Sequence, residues 1–281
     1  MKPRVIAIIQ GRMSSSRLPG KILADIAGQP MLRRVYARTS RAATVTETIF
    51  ATTSDPSDDP VAEYCEWSGI PFTRGHLYDV LDRYYQAARA ARAEVVVRIT
   101  ADCPLIDPAL IDDVVRTLLE DGYDFACNRL PPPWQRTYPI GLDVEVCTFP
   151  ALERAWQEGK EAYHREHVMP YFYEEAKFET KIKGQKSALS PLTFDLRSGE
   201  SPRGFRLALL DHPTDFGAYR WTVDTAADLE FIRQVYARFE GRDDFSWKEV
   251  LDLVHKEPDL MKINAGVQHK TLKDVDPRAL Q

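Results

Sequence analysis

Val5 to Ile9 is an unbroken apolar run, VIAII, whose length and lack of polar alternation suit a strand buried on both faces of a parallel sheet. A polar, turn-prone stretch follows it. Met31, Leu32, Val35 and Tyr36 then recur at helical spacing before a second strand candidate at Thr48 to Thr53. That is a strand, helix, strand unit, and the pattern repeats. A helix is predicted near Asp59 to Trp67, a short strand at Pro71 to Thr73, a helix from Asp79 through Ala91 and a strand at Val95 to Ile99. Asp107 followed by Pro108 marks the next helix start, because the carboxylate caps free amides and proline at the first helical position gives up no needed donor. Leu110, Ile111, Val114, Val115 and Leu118 supply its buried face and Gly122 its stop. Such alternation predicts an α/β fold with a mostly parallel sheet flanked by helices, in which ligands bind beyond the carboxyl ends of the strands.

The 281 residues read as a single domain, 1–281, with a change of character after Asn128. Pro131, Pro132 and Pro133 stiffen the chain, and Leu142 to Cys147 alternates as a half-buried strand would. Residues 128–185 therefore read as an inserted lobe, a lid or subunit contact. Gly184 to Gly204 lacks periodicity and is expected to be a long surface loop. A strand is predicted at Arg220 to Val223, then a helix from Ala226 with Thr225 and Asp228 as its capping box, and a tail over 256–281.

A net charge of -5 leaves no electrostatic footprint for nucleic acid, so any anion site must be local. Met1 to Gln10 suits neither a signal peptide nor a membrane span, and a cytoplasmic protein with no membrane partner is expected. Cys65, Cys103, Cys127 and Cys147 form no C-x-x-C pair and read as reduced packing residues.

The segment Gly11 to Lys21, GRMSSSRLPGK, lies between the first strand and first helix and carries Arg12, Arg17 and Lys21 with Ser14, Ser15 and Ser16. These cations could supply charge-assisted donors to a nucleoside triphosphate, while Gly11 and Gly20 permit close backbone approach. A solvated basic turn fits the same residues. A Walker loop does not, since Ser15 stands where its first glycine should be and Ile22 where its Ser or Thr should be.

At IIQGRMSSSRLPGK the chain resembles the cytidylyltransferases grouped with spore coat polysaccharide biosynthesis protein F, which are similar to 3-deoxy-manno-octulosonate and acylneuraminate cytidylyltransferases. Further motifs continue the resemblance: FTRG ending at Gly75, DVLDRYY from Asp79, RITADCPL from Arg98, GLDVEV from Gly141, REHV from Arg165 and RWTVDT from Arg220. Gly11 replaces the usual alanine, and Ala226-Ala227-Asp228 the usual Pro-Glu-Asp. The resemblance implies CTP as substrate, Mg2+ as cofactor, a homodimer formed through the smaller lobe, and catalytic roles for Arg12, Arg17 and Lys21 on the phosphates.

Asp102 and Asp224 each follow a predicted strand, so both fall on the ligand-binding edge, where two carboxylates can share a hard cation. A turn residue and a helix cap are the alternatives; the resemblance implies the metal pair. Nucleotide contacts are expected from Gly11, Ser15, Ser16, Thr52 and Thr53, and the resemblance adds Arg74, Asp79 and Arg83. Polar capping and surface ion pairing fit those positions equally well. For the acceptor, the motifs nominate Asp143, Glu145, Arg165, Glu166 and His167, which also suit a half-exposed helix face of mixed charge.

The expected reaction transfers CMP from CTP to a sugar acid, with release of pyrophosphate. Activation of a sugar phosphate, polyol phosphate or phosphonate, a non-catalytic nucleotide-binding protein, and a nucleotide-sugar glycosyltransferase are the competing expectations.

Overall fold

The computed structural model describes residues 2–185 and 193–268. In chain order its elements are β1 (Val5–Gln10), β2 (Asp25–Ile26), β3 (Gln29–Pro30), α1 (Met31–Thr39), β4 (Glu47–Thr53), α2 (Asp59–Ser68), β5 (Phe72–Gly75), α3 (Val80–Ala90), β6 (Val95–Thr100) and α4 (Pro108–Asp121). They continue as β7 (Phe125–Cys127), β8 (Glu145–Thr148), α5 (Phe149–Glu158), α6 (Ala162–His167), α7 (Pro170–Tyr173), β9 (Lys177–Gln185), β10 (Phe194–Glu200), β11 (Arg206–Asp211), α8 (Ala226–Arg238) and α9 (Trp247–Lys256). β2 and β3 form a small hairpin. Among the described residues nine strands form one sheet in the order β5-β4-β1-β6-β8-β7-β11-β10-β9. β8 and β10 run against the other seven.

The unbroken apolar run explains the layering. β1 lies between β4 and β6, and its alternate residues feed two cores. Val5, Ala7 and Ile9 pack with α1, α4, α8 and α9, whereas Ile6 and Ile8 pack with α3, α5 and α7 on the opposite face. Each such fully buried aliphatic side chain contributes roughly 1.5–3 kcal/mol. The predicted caps form: Asp107 accepts from the amides of Ala109 and Leu110, Gly122 ends α4 at φ 66°, and Thr225 with Asp228 boxes the start of α8.

Three local expectations change. Leu142 to Cys147 is not half-buried: β8 sits in the middle of the sheet, and Val144, Glu145, Val146 and Cys147 are all shielded, because strands and helices cover it on both sides. The expected loop at Gly184 to Gly204 contains β10, paired with both β9 and β11; residues 186–192 lie outside the described residues. Its polar positions are matched across strands, as where Arg197 pairs with Asp211 at 2.6 Å, so strand formation rests on neighbours distant in sequence. Arg220 to Val223 makes only a single parallel bridge, Ile140 with Arg220. The backbone of Val223 bonds outside the sheet, its amide to the Asp102 carbonyl at 2.8 Å and its carbonyl to Lys21 at 2.7 Å.

Among the described residues no helix is long and apolar enough to cross a membrane.

Candidate active site

The carboxyl ends of β4, β1 and β6 converge where the Gly11 to Lys21 loop leaves the sheet. The Gly11 amide donates to the Ala51 carbonyl at 3.3 Å, and the Ala101 amide to the Gln10 carbonyl at 2.8 Å, so the loop starts wedged between its neighbours. Gly11 has no room for a side chain: a Cβ there would lie 2.6 Å from the Ala101 Cβ. Further along, the Met13 carbonyl accepts from the Ser15 and Gly20 amides. Gly20, at φ 75°, adopts the left-handed conformation that turns the chain and delivers Lys21 inward.

Lys21 is 8 % exposed, and its Nζ lies 2.8 Å from Asp102 Oδ2, 3.2 Å from Asp224 Oδ1 and 2.7 Å from the Val223 carbonyl. Burial by itself lowers the ammonium pKa; the two carboxylates outweigh burial and hold it above its ordinary value. Burial pushes the Asp102 pKa up, and Lys21 with the Thr100 hydroxyl more than reverses this, leaving it below the carboxylate range. Arg17 reaches the other oxygen of Asp224 at 2.8 Å, as does Arg220, also at 2.8 Å. Arg220 further pairs with Asp228, whose carboxylate accepts the Asp224 and Thr225 amides. Asp224 is thereby fixed through both its side chain and its backbone. Arg12 stands across the loop, donating to the Leu77 carbonyl at 3.3 Å with its guanidinium 5.7 Å from the Tyr78 ring centre. Ser15 is half-buried and Ser16 exposed on the same loop.

The remaining expected nucleotide residues divide by what they touch. Thr52 and Thr53 lie at the end of β4, but both hydroxyls donate inward to the fully buried Asp58. Asp58 is thus an internal anchor for the strand end, and it also accepts the Met13 amide at 2.7 Å and so holds the Gly11 to Lys21 loop. Arg74 clamps the same strand end, donating to the Thr53 and Asp55 carbonyls and to Asp59. Asp79 caps α3 and binds Arg165. Arg83 is different. It is 2 % exposed, its three guanidinium nitrogens have no hydrogen-bond partner among the described residues, and burial lowers its pKa to about 10.

Beside Asp102 and Asp224 opens a cavity of about 160 Å³, lined also by Arg98, Thr100, Cys103, Arg129, Asp143, Glu145, His167, Tyr173 and Thr222. Asp143, Glu145 and His167 of the expected acceptor set are therefore brought to it. Arg165 is not: it holds Asp79 and donates to the Trp156 carbonyl at 2.9 Å, tying α6 to the start of α3. Glu166, its neighbour, is also outside the lining. Arg98 and Glu145 face each other across β6 and β8 and form an ion pair, while Arg129 lies 3.8 Å from Asp143 and Arg136 pairs with the same carboxylate. Arg98 and Arg220 stood inside motifs already singled out, so their side chains were discoverable; Asp58, Arg129 and Tyr173 carried no sequence signal.

A cation-rich loop at the carboxyl edge of a largely parallel sheet, facing two converging carboxylates, defines an α/β protein of the nucleotide-handling class. The chain belongs to the cytidylyltransferase family, whose model matches residues 6–236. It is 30 % identical over 275 residues to an uncharacterized protein of Methanocaldococcus jannaschii, covering 97 % of this chain and 99 % of that one. With the spore coat polysaccharide biosynthesis protein SpsF of Bacillus subtilis it shares 27 % identity over 263 residues, 91 % of this chain and 95 % of the relative. A shorter match, 40 % over 119 residues, joins it to 3-deoxy-manno-octulosonate cytidylyltransferase of Geobacter sulfurreducens, covering 42 % of this chain and 46 % of that enzyme. Among solved structures, a cytidylyltransferase from Leptospira borgpetersenii superposes with a TM-score of 0.78 at 28 % identity, over 95 % of this chain and all of that one. The protein is thus a nucleotidyltransferase.

Proposed function

We propose that the protein transfers CMP from CTP to a hydroxyl of a carboxylate-bearing sugar and releases pyrophosphate. The observation that carries this reading is the contact of Lys21 with both Asp102 and Asp224 at the mouth of a cavity lined by paired arginines. Arg12, Arg17 and Lys21 lie on one loop, where they bind the triphosphate and offset charge on the leaving pyrophosphate. Arg83, a buried guanidinium with no hydrogen-bond partner among the described residues, adds positive potential behind that loop.

The carboxylates of Asp102 and Asp224 approach a common point closely enough to share one ammonium, and hard oxygen donors of this kind suit Mg2+ completed by phosphate and water. Bound there, the cation would neutralise phosphate charge and lower the pKa of the acceptor hydroxyl. Arg17 and Arg220 orient the Asp224 carboxylate, so part of the charge stabilisation is organised before reaction.

The cavity favours a singly charged acceptor. Glu145 and Asp143 offset two of the three charges of Arg98, Arg129 and Arg136, and the one cation left over suits a carboxylate better than a phosphate dianion. Arg129, whose contact with Asp143 is a long one, retains donors for a carboxylate.

The test is pyrophosphate release from CTP and Mg2+ with a panel of sugar acids, sugar phosphates, polyol phosphates and phosphonates, with ATP, GTP and UTP as controls. Release with CTP and a sugar acid is the expected outcome. Release only with a phosphate-bearing acceptor would overturn the acceptor class; CTP-dependent thermal stabilisation without pyrophosphate from any acceptor would favour a non-catalytic protein.

A further inference from the structure

We infer that Lys21 is the stand-in cation of the Asp102 and Asp224 pair, and that its ammonium must withdraw before a divalent cation can bind between them. This rests on the reading of those carboxylates as the cation site. An ammonium has three N–H donors and no more. Here the three are matched by three acceptors, Asp102, Asp224 and the Val223 carbonyl, at 2.8, 3.2 and 2.7 Å. None remains for a phosphate oxygen in this arrangement. Lys21 therefore cannot hold the carboxylates and serve the triphosphate through the same bonds.

Charge points the same way. Three carboxylates, Asp102, Asp224 and Asp228, are already balanced by three cations, Lys21, Arg17 and Arg220, so a dication entering with all three in place finds no uncompensated negative charge to hold it in a largely buried setting. Among the described residues no group of three or more His, Cys, Asp or Glu side chains forms a ligand cage that would bind a metal unaided. Nucleotide phosphates resolve both difficulties: they accept the donors of Lys21 and bring the missing oxygen ligands. The arrangement makes Lys21 a selector for cation and nucleotide together, and it keeps the two carboxylates from repelling each other in the nucleotide-free protein.

The test titrates Mn2+ into nucleotide-free full-length protein and follows free Mn2+ by its electron paramagnetic resonance signal. Lys21→Met removes the charge, and Lys21→Gln removes it while keeping a donor for the carboxylates, which guards against loss of folding in the first variant. Both are expected to bind Mn2+ at least about tenfold more tightly than wild type, and Asp102→Asn added to either is expected to abolish the gain. Unchanged or weaker binding in both variants would overturn the proposal. So would micromolar Mn2+ binding by the nucleotide-free wild type that disappears in Asp102→Asn alone, a measurement that needs no Lys21 variant. No CTP or acceptor is present, so failure here is distinct from silence in the pyrophosphate assay.

Discussion

Arg83 shows what a single buried charge means in this protein. Its guanidinium is shielded from water and has no hydrogen-bond partner among the described residues, a condition that is costly for folding. Neighbouring Arg12 disfavours its charge further, after burial itself, while Asp58 and Asp79 act only through space. Strain of this kind persists where a site uses it. Arg83→Met, of similar length and no charge, is expected to raise the melting temperature by at least about 2 °C and to reduce the stabilisation conferred by CTP. Thermal melts with and without CTP check both halves. A lower melting temperature with an undiminished CTP response would make Arg83 a packing residue. Lys21 is the opposite case, a buried charge with every donor matched.

At the scale of elements, the join between β1 and the Gly11 to Lys21 loop is set by volume. Alanine is usual at position 11 in the family the chain resembles, yet here the Ala101 methyl takes that space, 2.6 Å from where a Gly11 Cβ would stand, with Phe50 at 3.0 Å and Ile22 at 3.2 Å. Gly11→Ala is expected to destabilise by about 1–3 kcal/mol through overpacking. Ala101→Gly should recover part of that loss, because the tightest contact is between those two residues. A double-mutant cycle on denaturant unfolding measures the coupling, and strictly additive effects would show that the loop shifts instead of clashing. The same scale explains Asp58. It is not among the nucleotide contacts expected from the sequence, yet it binds Thr52, Thr53 and Met13 and so joins the end of β4 to the Gly11 to Lys21 loop.

Over the whole molecule, Asp228 connects the site to the far end of the described chain. It is fully buried and accepts from Arg220, the Asp224 and Thr225 amides and the side chain of Asn264. Burial raises its pKa, but Arg220 and the other donors outweigh burial and hold it below the ordinary 3.8. A carboxyl depressed in the folded state contributes its full stability above the unfolded value and loses it as pH falls through the lower folded value. Wild-type melting temperature should therefore decline as pH drops below about 4, and Asp228→Asn should show a shallower decline from a lower starting point. Melts across that range decide it; equal slopes in the two proteins would remove Asp228 from the acid response.

The amino-acid sequence by itself determined the α/β class, the caps of α4 and α8, and the placing of Asp102 just past β6 and of Lys21 on the loop that follows β1, because hydrophobic period and turn chemistry are local properties. It also carried the family, through ordered motifs that run from IIQGRMSSSRLPGK to RWTVDT. Only the tertiary structure decided which of those residues meet. β10 exists because β9 and β11 flank it, and β8 is buried because it enters the sheet between β6 and β7. Arg165 lies away from the cavity because Asp79, 86 positions away, claims its guanidinium, while Arg98 lines the cavity because cross-strand register sets it against Glu145. Pairings of that kind depend on distance in space and on which charge is left uncompensated after packing, and neither quantity is written in the spacing of residues along the chain.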